Sequence, residues 1–204
     1  MSSLNRTVRA ALAVGAAVTA LAGCTSTSTG TATSGPTTAT SDEVATTTSP
    51  PSGGGTDLDF KKYLSDPCAI LTAQQQAELT TFRGAEANPD GTFGPACVYR
   101  GKDPLANSTF EIMFVVKNNT IQDFIENTKQ AMPVSRETEV DGRPAVSFDG
   151  ADGVRDCSTA VGTSDKEAIL VQGNIGKNDK LNDGKACGTT ERVAATVIGN
   201  LKKG

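Results

Sequence analysis

Apolar and polar positions follow three rhythms along this chain, and each rhythm predicts a different kind of segment. Residues 10–21 form an apolar run interrupted only by Thr19, residues 25–56 carry almost no large apolar side chain, and from residue 57 onward helical and strand periods take turns. In that last region Ser65-Asp66-Pro67-Cys68 offers a helix start, with Asp66 as N-cap and Pro67 at the first helical position, where its missing N–H costs nothing. Thr72 caps a second helical segment, with Gln75 three residues on in capping-box spacing and Ala77 and Leu79 turned inward. Gly84 and the Asn88-Pro89-Asp90-Gly91 cluster end it.

The pattern then alternates as in strands. Residues 96–100 are short and carry Cys97, and residues 109–116 are rich in Phe, Ile and Val. Thr120, with Asp123 three later, starts a helix whose Ile121, Phe124, Ile125 and Met132 share one face, and Pro133 stops it. Residues 137–140 and 143–148 flank Asp141-Gly142, a pair suited to the positive φ angles of a type I′ hairpin turn. Pro144 cannot donate to a ladder, so its strand is expected at an edge or with its ladder broken there. Residues 154–161 and 167–175 make a second hairpin. After a polar loop, a final helix is expected from about Thr190, with Val193, Val197, Ile198 and Leu201 as its apolar stripe and Lys202 and Lys203 suited to its C-terminal dipole. The order helix, two strands, helix, four strands, helix predicts an α+β domain over residues 57–204: a single twisted antiparallel sheet of about six strands with three helices packed on it.

The two N-terminal rhythms describe an address and a tether. Arg6 and Arg9 precede the apolar run, which is too short to span a bilayer, and Leu21-Ala22-Gly23-Cys24 closes it. Small residues before a cysteine at the exit of a signal peptide admit a peptidase once the thiol carries a diacylglyceryl group. Residues 1–23 thus read as a lipoprotein signal peptide and Cys24 as the lipidated first residue of the mature chain. Two acyl chains, at about 0.8 kcal/mol per buried methylene, exceed what stable anchoring needs. Residues 25–56 are almost entirely Thr, Ser, Gly, Ala and Pro, with Asp42 and Glu43 the only charges. Such a tract cannot bury enough surface to offset its chain entropy and is expected to be a disordered tether with a reach of about 30 Å. The expected location is the outer face of the cytoplasmic membrane, held through Cys24.

Composition removes whole classes of chemistry. There is no His, so no Ser-His-Asp triad, Cys-His dyad, imidazole base or His-ligated metal is available. Neither S-x-x-K nor G-x-S-x-G occurs, and Trp is absent. The precursor carries −4, and loss of Arg6 and Arg9 takes the mature side chains to −6, which argues against nucleic acid as a partner. Four cysteines remain in the domain, Cys68, Cys97, Cys157 and Cys187, with no C-x-x-C pair. Outside the cytoplasm an even count reads as two disulfides. Three connectivities exist, and the shortest loops favour Cys68 with Cys97 and Cys157 with Cys187, each joining a helix start to a nearby strand.

The remaining candidates compete with simpler explanations. Asp149, Asp152 and Asp156, and likewise Asp179, Asn182 and Asp183, have the residue types for Ca²⁺ but not the EF-hand spacing, and turn chemistry accounts for them. Ser164-Asp165-Lys166 reads as a hairpin turn. Glu111, Glu137, Glu139 and Glu167 lie on predicted strands, where paired carboxylates would serve a glycosidase-like site and solvent exposure is the commoner cause. Arg143, after the hairpin turn, is a candidate contact for an anionic ligand. No metal or cofactor is expected.

Asp66-Pro67-Cys68-Ala69-Ile70-Leu71-Thr72, then Cys97 with Tyr99 two residues on, then Val140-Asp141-Gly142-Arg143-Pro144-Ala145-Val146, then Cys157 and Cys187, resemble one family pattern. It is that of the actinobacterial lipoproteins classed as domain of unknown function 3558, which share the signal, the Thr/Ser tether and a D-P-C-x-L-L-T opening. Tyr99 stands where the pattern has Trp, and the last cysteine follows Lys185-Ala186 instead of Asp-Pro. The resemblance implies no catalytic residues. The expectation is therefore a membrane-anchored domain, not an enzyme, that binds an envelope protein or a small ligand. A carboxylate-based hydrolase and a purely structural envelope component are the alternatives.

Overall fold

Why the strand periods close into one sheet is visible in the computed structural model, which describes residues 56–117 and 119–204. The elements are α1 (Ala73–Leu79), β1 (Phe82–Asn88), β2 (Ala96–Gly101), β3 (Thr109–Val115), α2 (Ile121–Ala131), β4 (Val134–Val140), β5 (Arg143–Asp149), β6 (Asp156–Gly162), β7 (Ala168–Asn174) and α3 (Ala186–Leu201), preceded by 3₁₀ turns at Lys61–Tyr63 and Pro67–Ile70. The seven strands form one antiparallel sheet in the order β1-β2-β3-β7-β6-β5-β4. Two meanders, β1 to β3 and β4 to β7, meet at β3 and β7. The α2 segment carries the chain from the centre of the sheet to its far edge, and so it crosses one face.

Strand alternation sorts the core into two layers. Tyr99, Phe110, Ile112, Phe114, Val161, Ile169 and Val171 point to one face, where Val193, Ala194, Val197, Ile198 and Leu201 of α3 and Phe60, Tyr63 and Ile70 of the 3₁₀ segment cover them. Complete burial of a side chain such as Phe110 or Phe114 contributes about 1.5–3 kcal/mol. Gly173 lets α3 approach, since a Cβ there would lie 2.8 Å from the Thr190 methyl. Ala96, Met113, Val115, Val146, Ala160 and Leu170 point to the other face, under Ile121 and Phe124 of α2. Both disulfides, Cys68–Cys97 and Cys157–Cys187, fasten the α3-side layer to strands β2 and β6. Each closes a sequence separation of 29 or 30 residues, for which loop-closure entropy gives about 3–4 kcal/mol.

The capping boxes at Thr72/Gln75 and Thr120/Asp123 form as their spacing predicts, and Asp141 and Gly142 have φ of 52° and 75°. Other expectations need correction. The sheet has a seventh strand, β1, which lacks an apolar period because an edge strand exposed on both faces has no core side. Of the two alternatives for Pro144, the broken ladder holds: β5 is interior and pairs with β4 along its length, while its ladder to β6 begins only at Ala145. Helix α3 starts at Ala186, not near Thr190, which places Cys187 in its first turn. Asp66 makes no side-chain cap, Ala77 is exposed, and Met132 lies beyond the end of α2 with 37 % of its surface exposed. The signal peptide, Cys24 and all of the tether but Thr56 lie outside the described residues.

Candidate functional site

The half of the sheet face that α2 leaves open is produced by a change of pattern within single strands. On that face β3 presents Thr109 and Glu111, then Met113 and Val115; β7 presents Ala168 and Leu170, then Gln172 and Asn174; β6 presents Asp156 and Ser158, then Ala160. Because neighbours run antiparallel, these switches line up across the sheet. Rows such as Met113–Leu170–Ala160 are apolar and sit under α2, while the row Glu111–Gln172–Ser158 is polar and uncovered. The result is a groove of about 370 Å³ lined by Val98, Arg100, Thr109, Glu111, Asp149, Asp156, Ser158, Gln172 and Asn174.

Its hydrogen bonding is partly committed. Arg100 donates to Glu86 of β1 at 3.3 Å through both Nε and Nη2. The Asn174 amide donates to Asp156 at 2.6 Å, and Asp149 accepts from the N–H groups of Ala151 and Gly153 at 2.9 Å. Glu111 takes part in none of the ion pairs among the described residues. Of these residues the sequence singled out Glu111 as a candidate paired carboxylate and Asp149 and Asp156 as candidate Ca²⁺ ligands, and it brought out neither Thr109, Ser158, Gln172 and Asn174 nor the groove itself. The mid-strand switch from apolar to polar on one face is the signal that would have found them.

A second depression, of about 660 Å³, lies at the other end of the strands, between residues 56–59, the β4–β5 turn and the C-terminal end of α3. Arg143 is here and is buried. Its guanidinium donates to the carbonyls of Thr56 at 3.0 Å and Thr163 at 2.6 Å, and its Nε and the Thr163 hydroxyl have no partner among the described residues. Lys202 bonds Asp141 across the same depression at 2.8 Å. The arginine expected to meet a ligand thus holds the beginning of the domain against the β6–β7 hairpin.

Asp179 organises the groove end of the α3 side. It is 6 % exposed, and its Oδ2 accepts from the Thr80 hydroxyl at 2.8 Å and from the Ser108 N–H and hydroxyl at 2.6 and 2.9 Å, while Oδ1 accepts from Leu181 N–H at 3.0 Å. Burial works against its charge, but the four donors together outweigh it and hold the carboxyl below the ordinary range. Asn182 and Asp183 accept from Gly184 N–H and Lys185 N–H, and Asp152 from Val154 N–H, so these two acidic loops are turn chemistry. Among the described residues no cluster of acids or cysteines could hold a metal. Glu111 on β3 stands four strand spacings, about 19 Å, from Glu137 and Glu139 on β4, so it converges with neither. Glu137 pairs with Lys129 at 3.6 Å instead, and Glu167, in the turn between β6 and β7, has its carbonyl bonded by Thr163 N–H and Ser164 N–H.

Compared with known families, residues 19–200 match the model described as protein of unknown function (DUF3558), and the chain belongs to that family. No curated protein and no solved structure matches it.

Proposed function

We propose that this DUF3558 member is a cell-envelope lipoprotein, anchored through Cys24 on the outer face of the cytoplasmic membrane, whose domain binds an envelope partner without catalysis. The observation that carries the binding part is the uncovered polar half-face and its position. Thr56, where the segment from Cys24 joins the domain, lies at the start of β5 beside Arg143, and the groove lies at the other end of that seven-residue strand, about 20 Å away. A domain held by its Thr56 end keeps the groove on the far side from its attachment. The Leu21-Ala22-Gly23-Cys24 box, the Thr/Ser tract and a fold fastened by two disulfides support the anchor and the oxidising compartment.

Binding is favoured over carboxylate hydrolysis because that chemistry needs two acids about 5–9.5 Å apart with one free to exchange a proton. Of the three groove acids, Asp149 is held by two backbone N–H groups and Asp156 by an amide. The test has two arms. Cys24→Ser should move the chain out of the membrane fraction, and mass spectrometry of the wild-type mature chain should find an acylated Cys24; an unmodified thiol refutes the anchor. A photo-crosslinker at Gln172 should capture a partner on intact cells, while one at Glu139 should not. Equal capture from both refutes the groove.

A further inference from the structure

We infer that the open half-face is a docking surface for an extended, lysine- or arginine-bearing segment of a protein partner; this rests on the groove being the binding site. The charge on the face is one-sided. Glu86, Glu111 and Asp156 stand on it against a single cation of its lining, Arg100, which Glu86 already neutralises. Glu111, on the interior strand β3, and Asp156 are therefore left without an ionic partner among the described residues.

Their spread decides the kind of occupant. They do not gather at one point, in keeping with the lack of any metal-holding cluster among the described residues. Glu111 on β3 and Asp156 on β6 are two strand spacings and two residues apart, about 12 Å between Cα atoms. One small amine reaches a single carboxylate. An extended chain repeats its side chains on one side about every 6.6 Å, so every second such side chain meets an acid across the strands. Between the acids stand Gln172 and Ser158, whose amide and hydroxyl both donate and accept and so suit the peptide groups of that chain. Long-range attraction to a negative face also favours encounter with a basic segment over an acidic one.

The probe is a twelve-residue alternating Lys-Ala peptide, titrated into the purified protein at low and at physiological salt. Wild type should bind it, and Glu111→Gln with Asp156→Asn should weaken binding about tenfold, as expected for removal of two exposed ion pairs. Removing the same charge from the opposite edge, by Glu137→Gln with Glu139→Gln, should leave affinity within about twofold. Arg100→Ala, which frees Glu86, should tighten it. Failure of wild type to bind, or equal loss in the groove and edge variants, overturns the inference. Capture from Gln172 of a partner whose crosslinked segment carries no Lys or Arg also overturns it, while leaving the groove as the binding site.

Discussion

Replacing Asp179 by Asn is the most discriminating perturbation of this fold, because the two side chains have the same shape and differ only in what they accept. The carboxylate serves two backbone N–H donors from opposite oxygens, Ser108 on Oδ2 and Leu181 on Oδ1, with the Thr80 and Ser108 hydroxyls also on Oδ2. An asparagine amide has one accepting end. Turned either way, it aims its NH₂ at one of those backbone N–H groups, and a backbone donor cannot rotate away as a hydroxyl can. One buried N–H without an acceptor costs about 1–3 kcal/mol, and loss of charge assistance in the surviving bonds adds about 1 kcal/mol. The expected loss is about 3 kcal/mol at pH 7, or a fall of about 6–12 °C in Tm for a domain of this size. The pH dependence supplies an independent check. A carboxyl whose pKa is depressed by folding contributes stability above its unfolded value, near 4, and that contribution is lost as pH falls through the lower folded value. The gap between wild type and Asp179→Asn, followed by urea unfolding from pH 7 to pH 2.5, should therefore narrow below about pH 4. A variant within about 0.5 kcal/mol of wild type at pH 7, or a gap that stays constant to low pH, refutes the assignment of Asp179 as the acceptor joining α1, β3 and the loop before α3.

Three further outcomes follow from the same contacts. Cys157→Ala with Cys187→Ala should lower stability by about 3–4 kcal/mol in urea unfolding, and reducing agent should affect that variant less than wild type because one cross-link remains. Tyr99→Phe removes the hydroxyl that donates to the Cys68 carbonyl at 2.9 Å and should cost about 1 kcal/mol; since burial raises the Tyr99 pKa, wild type should lose stability as pH rises above about 10, and the variant should lose less. Thr120→Ala breaks the capping box that starts α2 and should cost about 1 kcal/mol, read as a lower urea midpoint with unchanged slope.

What the amino-acid sequence determined by itself depends on neighbours within a few residues, though not every such reading held: Asp66 makes no cap and α3 starts four residues before Thr190. The capping boxes at Thr72 and Thr120, the Asp141-Gly142 turn, the apolar stripe of α3 and the alternation of β3 and β7 are local, and all of them form. The pairing of the four cysteines follows the shortest of the three possible connectivities, closing separations of 29 and 30 residues, although one or two whole elements lie between the partners of each pair. Tertiary structure alone decided the rest. Strand β1 is held by its ladder to β2 and not by any apolar period of its own. Arg143 was chosen by the carbonyls of Thr56 and Thr163, 87 and 20 residues away, and Asp179 by Thr80 and Ser108, 99 and 71 residues away. The groove arose only when antiparallel pairing set the polar halves of β2, β3, β7 and β6 side by side while α2 covered the apolar halves. A single strand shows that its pattern changes midway; the pairing of strands turns four such changes into one surface.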